Sequence, residues 1–285
     1  IAVRTTQLTL SDRTKLAQDV LTARRSAPEA FAALRSLENR APQIEAKKTG
    51  RFAAFGPMFK QLGPNALFPM LERLALDPGS TRTMNERTLT SLRVGMIEAV
   101  GALRDPRAKP VLVAVLKNSE NNQFIVRASV EALAKLADDD TTNMLVSMAS
   151  SAHPSRLAVL SAMGDCRRTL AATALSHMLQ SRPSEQEANA LIDSLGRMGS
   201  SWAWKTPAAQ IHGSEETAVR DVIADALVQA FVSYNNGVRQ NASDSLMMVN
   251  SSNTPALLAQ ARAKNPALAL ELEDLQRRFD RNPAR

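Results

Sequence analysis

The chain has 285 residues, 44% of them hydrophobic but only 4% aromatic, with a single tyrosine, Tyr234, and a formal net charge of +7. Abundant alanine, leucine, methionine and arginine beside sparse glycine suit helices packed through small, unbranched side chains, and almost no sheet is expected. The one cysteine, Cys166, excludes an intrachain disulfide framework and a thiolate zinc site, and no apolar run approaches the roughly 18 residues of a membrane span.

The charge is uneven. Residues 1 to 60 hold 11 Lys/Arg against 5 acids, and the rest of the chain sums to about neutral. A groove that tracks phosphates needs basic residues along its whole length, so an excess at one end reads as the solvated face of N-terminal helices. Two such helices are expected, Ser11 to Arg25 and Ser26 to Arg40. The second opens with a Ser26-x-x-Glu29 capping box and carries Pro28 in its first turn. Together they form a basic cap over residues 1–50. The chain begins at Ile1 without methionine, which is consistent with a removed export signal and favours a periplasmic over a cytoplasmic location.

A unit from Met58 to Leu76, "MFKQLGPNALFPMLERLAL", comes next, followed by "DPGSTRTMNERTLTS", whose Pro, Gly, Ser and Thr read as an exposed loop that includes Ser80. From there a small-apolar-small triplet recurs: Ala99-Val100-Gly101, Ala132-Leu133-Ala134, Ala162-Met163-Gly164, Ser194-Leu195-Gly196 and Ala226-Leu227-Val228, at intervals of 33, 30, 32 and 32 residues. Self-similarity at this period marks stacked helical hairpins, each burying its apolar face only against its neighbours. Gly or Ala in the triplet allows close approach of the next hairpin, so Gly164 is expected at a tight contact. An apolar residue follows most triplets two places on, and Cys166 fills that core place in the third unit. The expected fold is all-α, an α-solenoid of about six helical hairpins over residues 51–250 with helical caps at both ends. The C-terminal cap, residues 251–285, ends in a charged helix pairing Glu273 with Arg277 and Asp274 with Arg278.

"EAVGALRDPRAKPVLVAVL" (Glu98 to Leu116) and "IVRASVEALAKLADDD" (Ile125 to Asp140) share an early Arg, an Ala-Leu-Gly/Ala core, an Asp turn and an apolar second helix. Arg93, Arg127, Arg156 and Arg220 fill the Arg place. With these elements, Arg51 to Asn250 resembles the HEAT-like repeats, in particular the short bacterial form first noted in phycobilisome lyases. The resemblance implies fold rather than activity.

No motif points to catalysis. "GSSWAWKT" (Gly199 to Thr206) looks like a phosphate-binding loop, but Trp204 stands where a glycine is needed. His153, His177 and His212 lie far apart with no His-Glu pair of the kind that HEAT-like hydroxylases use for iron. The run Asp138 to Asp140 suits a turn and the start of a helix. No cofactor or metal is expected. The reading that remains is a non-enzymatic scaffold whose second helices line a concave surface for another protein or a peptide segment. Its expected partner-binding residues are Arg107, Lys109, Lys117, Asn143, Arg168, His177, Trp202 and Lys205. The stretch from Ser200 to Gly213 reads as an irregular second helix holding both tryptophans. Trp202 is its expected exposed indole, because Trp204 is closer to Pro207 and the apolar Ala208 and Ile211. The alternative is nucleic-acid binding of the alkylpurine DNA glycosylase kind, though no Asp matches its catalytic place and the repeats lack net positive charge.

Overall fold

The structure is a computed structural model that describes residues 8–48, 54–76, 84–118, 122–206 and 210–283. Among these residues every regular element is a helix. The chain divides into two compact units, Ile1–Leu136 and Ala137–Arg285.

The first unit begins with α1 (Leu10–Ser26), where the Thr9 side chain accepts the Asp12 amide at 3.1 Å and so satisfies one of the first-turn donors. Ser26 does not open the next helix. It is the last residue of α1, its hydroxyl donating to the Ala23 carbonyl, and α2 (Pro28–Ala46) starts behind Ala27 without a side-chain cap. The capping-box expectation fails because Pro28, with no amide hydrogen to satisfy, serves as the first helical residue. Helix α2 also outlasts its expected end by six residues and runs through Pro42. The buried stripe of Phe31, Leu34, Glu38, Ala41 and Glu45 continues across that proline. Its two acids are buried in ion pairs, Glu38 with Arg73 and Glu45 with Lys48 and Arg87.

Then come α3 (Gly56–Lys60), α4 (Leu67–Ala75), α5 (Glu86–Leu103), α6 (Lys109–Asn118) and α7 (Gln123–Leu136). Residues 77–83 of the expected loop, Ser80 included, lie outside the described residues. From Glu86 onward the expected loop is helix. Asn85 caps α5 by accepting the Thr88 amide at 2.8 Å, and Thr88, Thr90 and Ser91 are buried in its first two turns. The packing forms two layers, α3, α5 and α7 in one and α1, α4 and α6 in the other. Gly101 lies so close to α7 that a Cβ there would meet Ala132 Cα and Cβ at 2.6 Å, as the close-approach reading of the triplets requires.

The second unit contains α8 (Asp139–Ser150), α9 (Arg156–Ala162), α10 (Thr169–Gln180), α11 (Glu185–Gly199), α12 (Ser201–Trp204), α13 (Glu216–Ser233), α14 (Asn236–Val249), α15 (Thr254–Lys264) and α16 (Ala269–Asp280). Asp138 caps α8 through the Thr141 amide at 3.0 Å, the role expected of the acidic run. Helices α9, α11, α14 and α16 pack in one layer, and α8, α10, α13 and α15 in the other. This corrects the repeat register. Ala226-Leu227-Val228 was expected in a first helix, yet α13 packs on α10, a second helix, while α14 packs on α11. A small-apolar triplet marks a closely packed helix of either layer, so the period alone cannot tell them apart. The hairpin opened by α11 is therefore closed by α13. The tryptophan stretch is an insertion between the two helices of one hairpin rather than a shortened second helix.

Arginines tie neighbouring helices together through main-chain oxygens. Arg104 donates to the Lys135 carbonyl at 2.5 Å, Arg156 to Ala149 at 2.8 Å, Arg197 to Ser161, and Arg239 to Phe231 at 2.9 Å and Tyr234 at 3.0 Å. Arg220 donates to Val249 at 3.1 Å and Asn250 at 2.5 Å. The last carbonyls of a helix have no partner within it, and a cation there also complements the helix dipole. Of the four expected repeat arginines, Arg156 and Arg220 do this, whereas Arg127 pairs with Glu131 on its own helix at 3.0 Å. At the C-terminus Glu273 pairs with Arg277 as expected. Asp274 does not pair with Arg278: it takes Arg277 instead, and Arg278 reaches back to Asp244 and the Ser243 hydroxyl of α14, both at 2.6 Å. Leu272, Leu275 and Phe279 hold α16 down by their burial.

Candidate partner-binding surface

Three of the eight expected residues fall in the first unit and five in the second. Arg107 is exposed, but it is engaged: its guanidinium holds Asp105 at 2.6 Å and lies 4.8 Å from the centre of the Phe68 ring. These bonds keep the Asp105 carboxyl below its usual pKa. Lys109 opens α6 half-buried, and Lys117 is exposed in its last turn.

In the second unit Asn143 of α8 and His177 of α10 are exposed, as expected of second helices. Leu170, seven residues before His177 and so on the same face of α10, is 47% exposed. Sequence reading missed it, because a leucine in an alanine- and leucine-rich helix carries no mark of exposure. Arg168 is a correction. Its guanidinium donates to the Ala137 carbonyl at 2.6 Å, to Asp139 at 2.7 Å and to Glu215 at 2.7 Å, and Glu215 also accepts the Thr169 amide at 2.6 Å. With every edge of the fork occupied, Arg168 anchors the start of α10 and has little left to offer a partner.

The two tryptophans separate cleanly. Trp204 is 1% exposed, and its indole N–H donates to the Met198 carbonyl near the end of α11 at 3.0 Å. Trp202 is 66% exposed, with the Lys205 ammonium 4.5 Å from its ring centre, a cation–π contact at the surface. The expected assignment holds. Of the residues argued to bury Trp204, Pro207 and Ala208 lie outside the described residues, as does the side chain of Ile211; the bond to Met198 ties the indole to the end of α11. Helix α12 packs on α11 and α14, so Trp202 belongs to a different layer from Asn143 and His177. Just before α12, Gly199 abuts Val249, whose neighbour Met248 is 43% exposed. Two exposed apolar side chains thus flank the place where α11, α12 and the end of α14 meet.

Cys166 is fully buried and lies 3.6 Å from the Thr142 hydroxyl. Burial pushes its thiol up from 9.0 to about 11, against the opposing pull of the Thr142 hydrogen bond and of Arg168. The core reading therefore holds. Native protein at pH 8 should react with a thiol reagent no faster than it opens, and fast labelling without denaturant would refute this placement. Because the folded state keeps the proton that the unfolded chain releases from pH 9.0, stability should fall as pH rises between 9.0 and about 11. Among the described residues no group of three His, Cys, Asp or Glu stands close enough to hold a metal.

Two alternating layers, close glycine contacts and a hairpin period near 32 residues point to one known repeat. Residues 88–164 match the family model of HEAT repeats. No curated protein matches the sequence. The HEAT repeats run from the first turn of α5 to Gly164, just past α9, and include both motifs on which the resemblance rests. All-helical, pairwise packing in each unit is consistent with a HEAT-repeat solenoid. Of the candidate residues, Arg107, Lys109, Lys117 and Asn143 lie within the matched HEAT repeats, and Arg168, His177, Trp202 and Lys205 lie beyond them.

Proposed function

We propose that the chain is a non-enzymatic scaffold that binds another protein, or a peptide segment of one, and that its HEAT-like repeats, of the short bacterial type, extend beyond residues 88–164 in both directions. HEAT repeats typically mediate protein interactions, and stacked hairpins offer a long continuous surface. The observation that carries the reading is Trp202, an indole left in solvent beside a second indole that the same short helix buries completely. Exposed aromatics with a cationic neighbour are typical anchors of protein interfaces. Lys205 extends the candidate surface beside Trp202, and Leu170, His177 and Asn143 are exposed on the other layer of the second unit. The basic end gives nucleic-acid binding less support, since Arg24 is paired with Glu72, Arg73 with Glu38, and Lys48 and Arg87 with Glu45.

The test pairs capture with titration. A protein retained from a native bacterial extract by the parent chain is titrated against the parent and against Trp202→Ala. The variant should melt like the parent and bind the captured protein more weakly by about 2 kcal/mol, roughly thirtyfold in Kd. Unchanged affinity in a well-folded variant would move the interface away from α12.

A further inference from the structure

Where α13 hands over to α14 stands the only Asn-Gly pair of the sequence, Asn236-Gly237. Asparagine followed by glycine is the dipeptide best suited to close a ring on itself, because glycine offers its main-chain nitrogen to the preceding side-chain carbonyl carbon with no Cβ in the way. A fold prevents this by hydrogen-bonding the nucleophilic amide, by holding the side-chain amide, or by packing against the pair. None of these restraints acts here. Asn236 and Gly237 are both exposed, and a Cβ built on Gly237 would meet nothing within 4 Å. Gly237 lies in the first turn of α14, where an amide finds no acceptor inside the helix. Among the described residues neither its N–H nor the Asn236 side chain makes a hydrogen bond. Asn236 has φ at 48°, a left-handed conformation that costs a non-glycine residue energy, so backbone preference does not oppose its leaving for the cyclising geometry. Other asparagines supply the contrast. Asn250 shares the left-handed backbone, with φ at 47°, but is followed by Ser251, which is buried and bonded through its hydroxyl to Asp221. The Asn235 side chain accepts from Arg239 at 3.2 Å, and Asn265 precedes Pro266, whose nitrogen has no proton to lose.

We infer that Asn236 is a modification site, at which the folded chain deamidates through a cyclic imide with Gly237 and needs only water to do so. The Gly237 nitrogen gives its proton to hydroxide and bonds to the side-chain carbonyl carbon of Asn236. The bond from that carbon to the side-chain nitrogen breaks, and ammonia leaves with a proton taken from water. Water then opens the imide at either carbonyl, leaving aspartate or isoaspartate. No oxidation or reduction occurs and no cofactor enters. Either product adds a negative charge at the start of α14, where the helix dipole favours one. Isoaspartate also routes the main chain through the former side chain, which lengthens by one atom the connection between two helices that pack on each other. The inference stands apart from the scaffold reading and is tested without any protein partner.

The folded full chain is held at mildly alkaline pH beside a synthetic peptide of residues 232–241, and both are followed by mass spectrometry. In a tryptic digest of the protein, the fragment Asp221–Arg239 should gain about 1 Da as the side-chain amide becomes a carboxyl. Because the fold protects neither reacting group, its rate should lie within about threefold of the rate of the free peptide. The rate should rise with hydroxide concentration. The converted fragment should contain isoaspartate, read as methyl transfer from S-adenosylmethionine by an isoaspartyl methyltransferase. Gly237→Ala places its Cβ in open space and favours the helix, so it should melt at or slightly above the parental temperature. The same substitution should slow the conversion about tenfold by crowding the nucleophile. A fragment that stays intact while the peptide converts overturns the inference, because it would show that the fold restrains the pair. So does a mass gain that yields aspartate alone, without the isoaspartate that ring opening must give, or a rate unmoved by Gly237→Ala.

Discussion

Trp204→Ala is expected to lower the unfolding free energy of the second unit by roughly 3 to 5 kcal/mol, the cost of emptying a fully buried indole site. The indole is 1% exposed and its N–H is bonded to the Met198 carbonyl at 3.0 Å, so the substitution removes packing and leaves a helix-end carbonyl without that donor. Trp202→Ala, two residues away, deletes a ring that is 66% exposed and should change stability by no more than a few tenths of a kcal/mol. Urea unfolding followed by circular dichroism at 222 nm separates the two. Equal midpoints would mean that α12 is not docked against α11 as described. A loss confined to one part of the transition would also be informative, because stacked hairpins need not unfold as one cooperative body.

Gly101→Leu is the second large effect. A Cβ at Gly101 would meet the Cα and Cβ of Ala132 at 2.6 Å, and main-chain atoms of a neighbouring helix cannot rotate aside, so α5 and α7 would have to separate. The expected cost is about 3 kcal/mol, at the upper end for overpacking. Gly164→Leu should also be costly, about 1 to 3 kcal/mol. Its nearest obstacles are Cβ and Nε of Arg197, both at 2.8 Å; the guanidinium end can swing away if it gives up its bond to the Ser161 carbonyl, but Cβ moves only with α11. Gly237, in the first turn of α14, has nothing within 4 Å, and Gly237→Leu should be silent or slightly stabilising because leucine is the better helix former. If the three variants melt alike, glycine is not marking helix contacts in this chain.

Period and composition were enough to anticipate helices, hairpins and close glycine contacts, because those follow from which side chains can share a crowded seam. The layer to which a helix belongs was not legible. Ala226-Leu227-Val228 in α13 looks like the first-helix triplets, and only its packing on α10 shows it to be a second helix. That misreading turned an insertion into a degenerate repeat. Among the candidate residues, Trp202 was found by a sound rule, that indoles two residues apart on a helix face different ways. Arg168 was misjudged for a general reason. An arginine next to a helix start reads the same in sequence whether it meets solvent or, as here, Asp139, Glu215 and a carbonyl brought together from two places in the chain.

The arginines that hold helix ends have a consequence for how such a sequence can drift. Their acceptors are carbonyls of Lys135, Ala149, Ser161, Phe231, Tyr234, Val249 and Asn250, and every amino acid supplies the same main-chain oxygen. An ion pair would bind two positions to a joint choice of residue types, so that a change at one demands a change at the other. Here the acceptor position can mutate freely while the tether persists. In a set of relatives these tethers leave no paired substitutions of their own, and methods that infer contacts from such pairs would be blind to them, even where the same arginine also holds an acid, as Arg156 holds Glu187 and Arg220 holds Glu216.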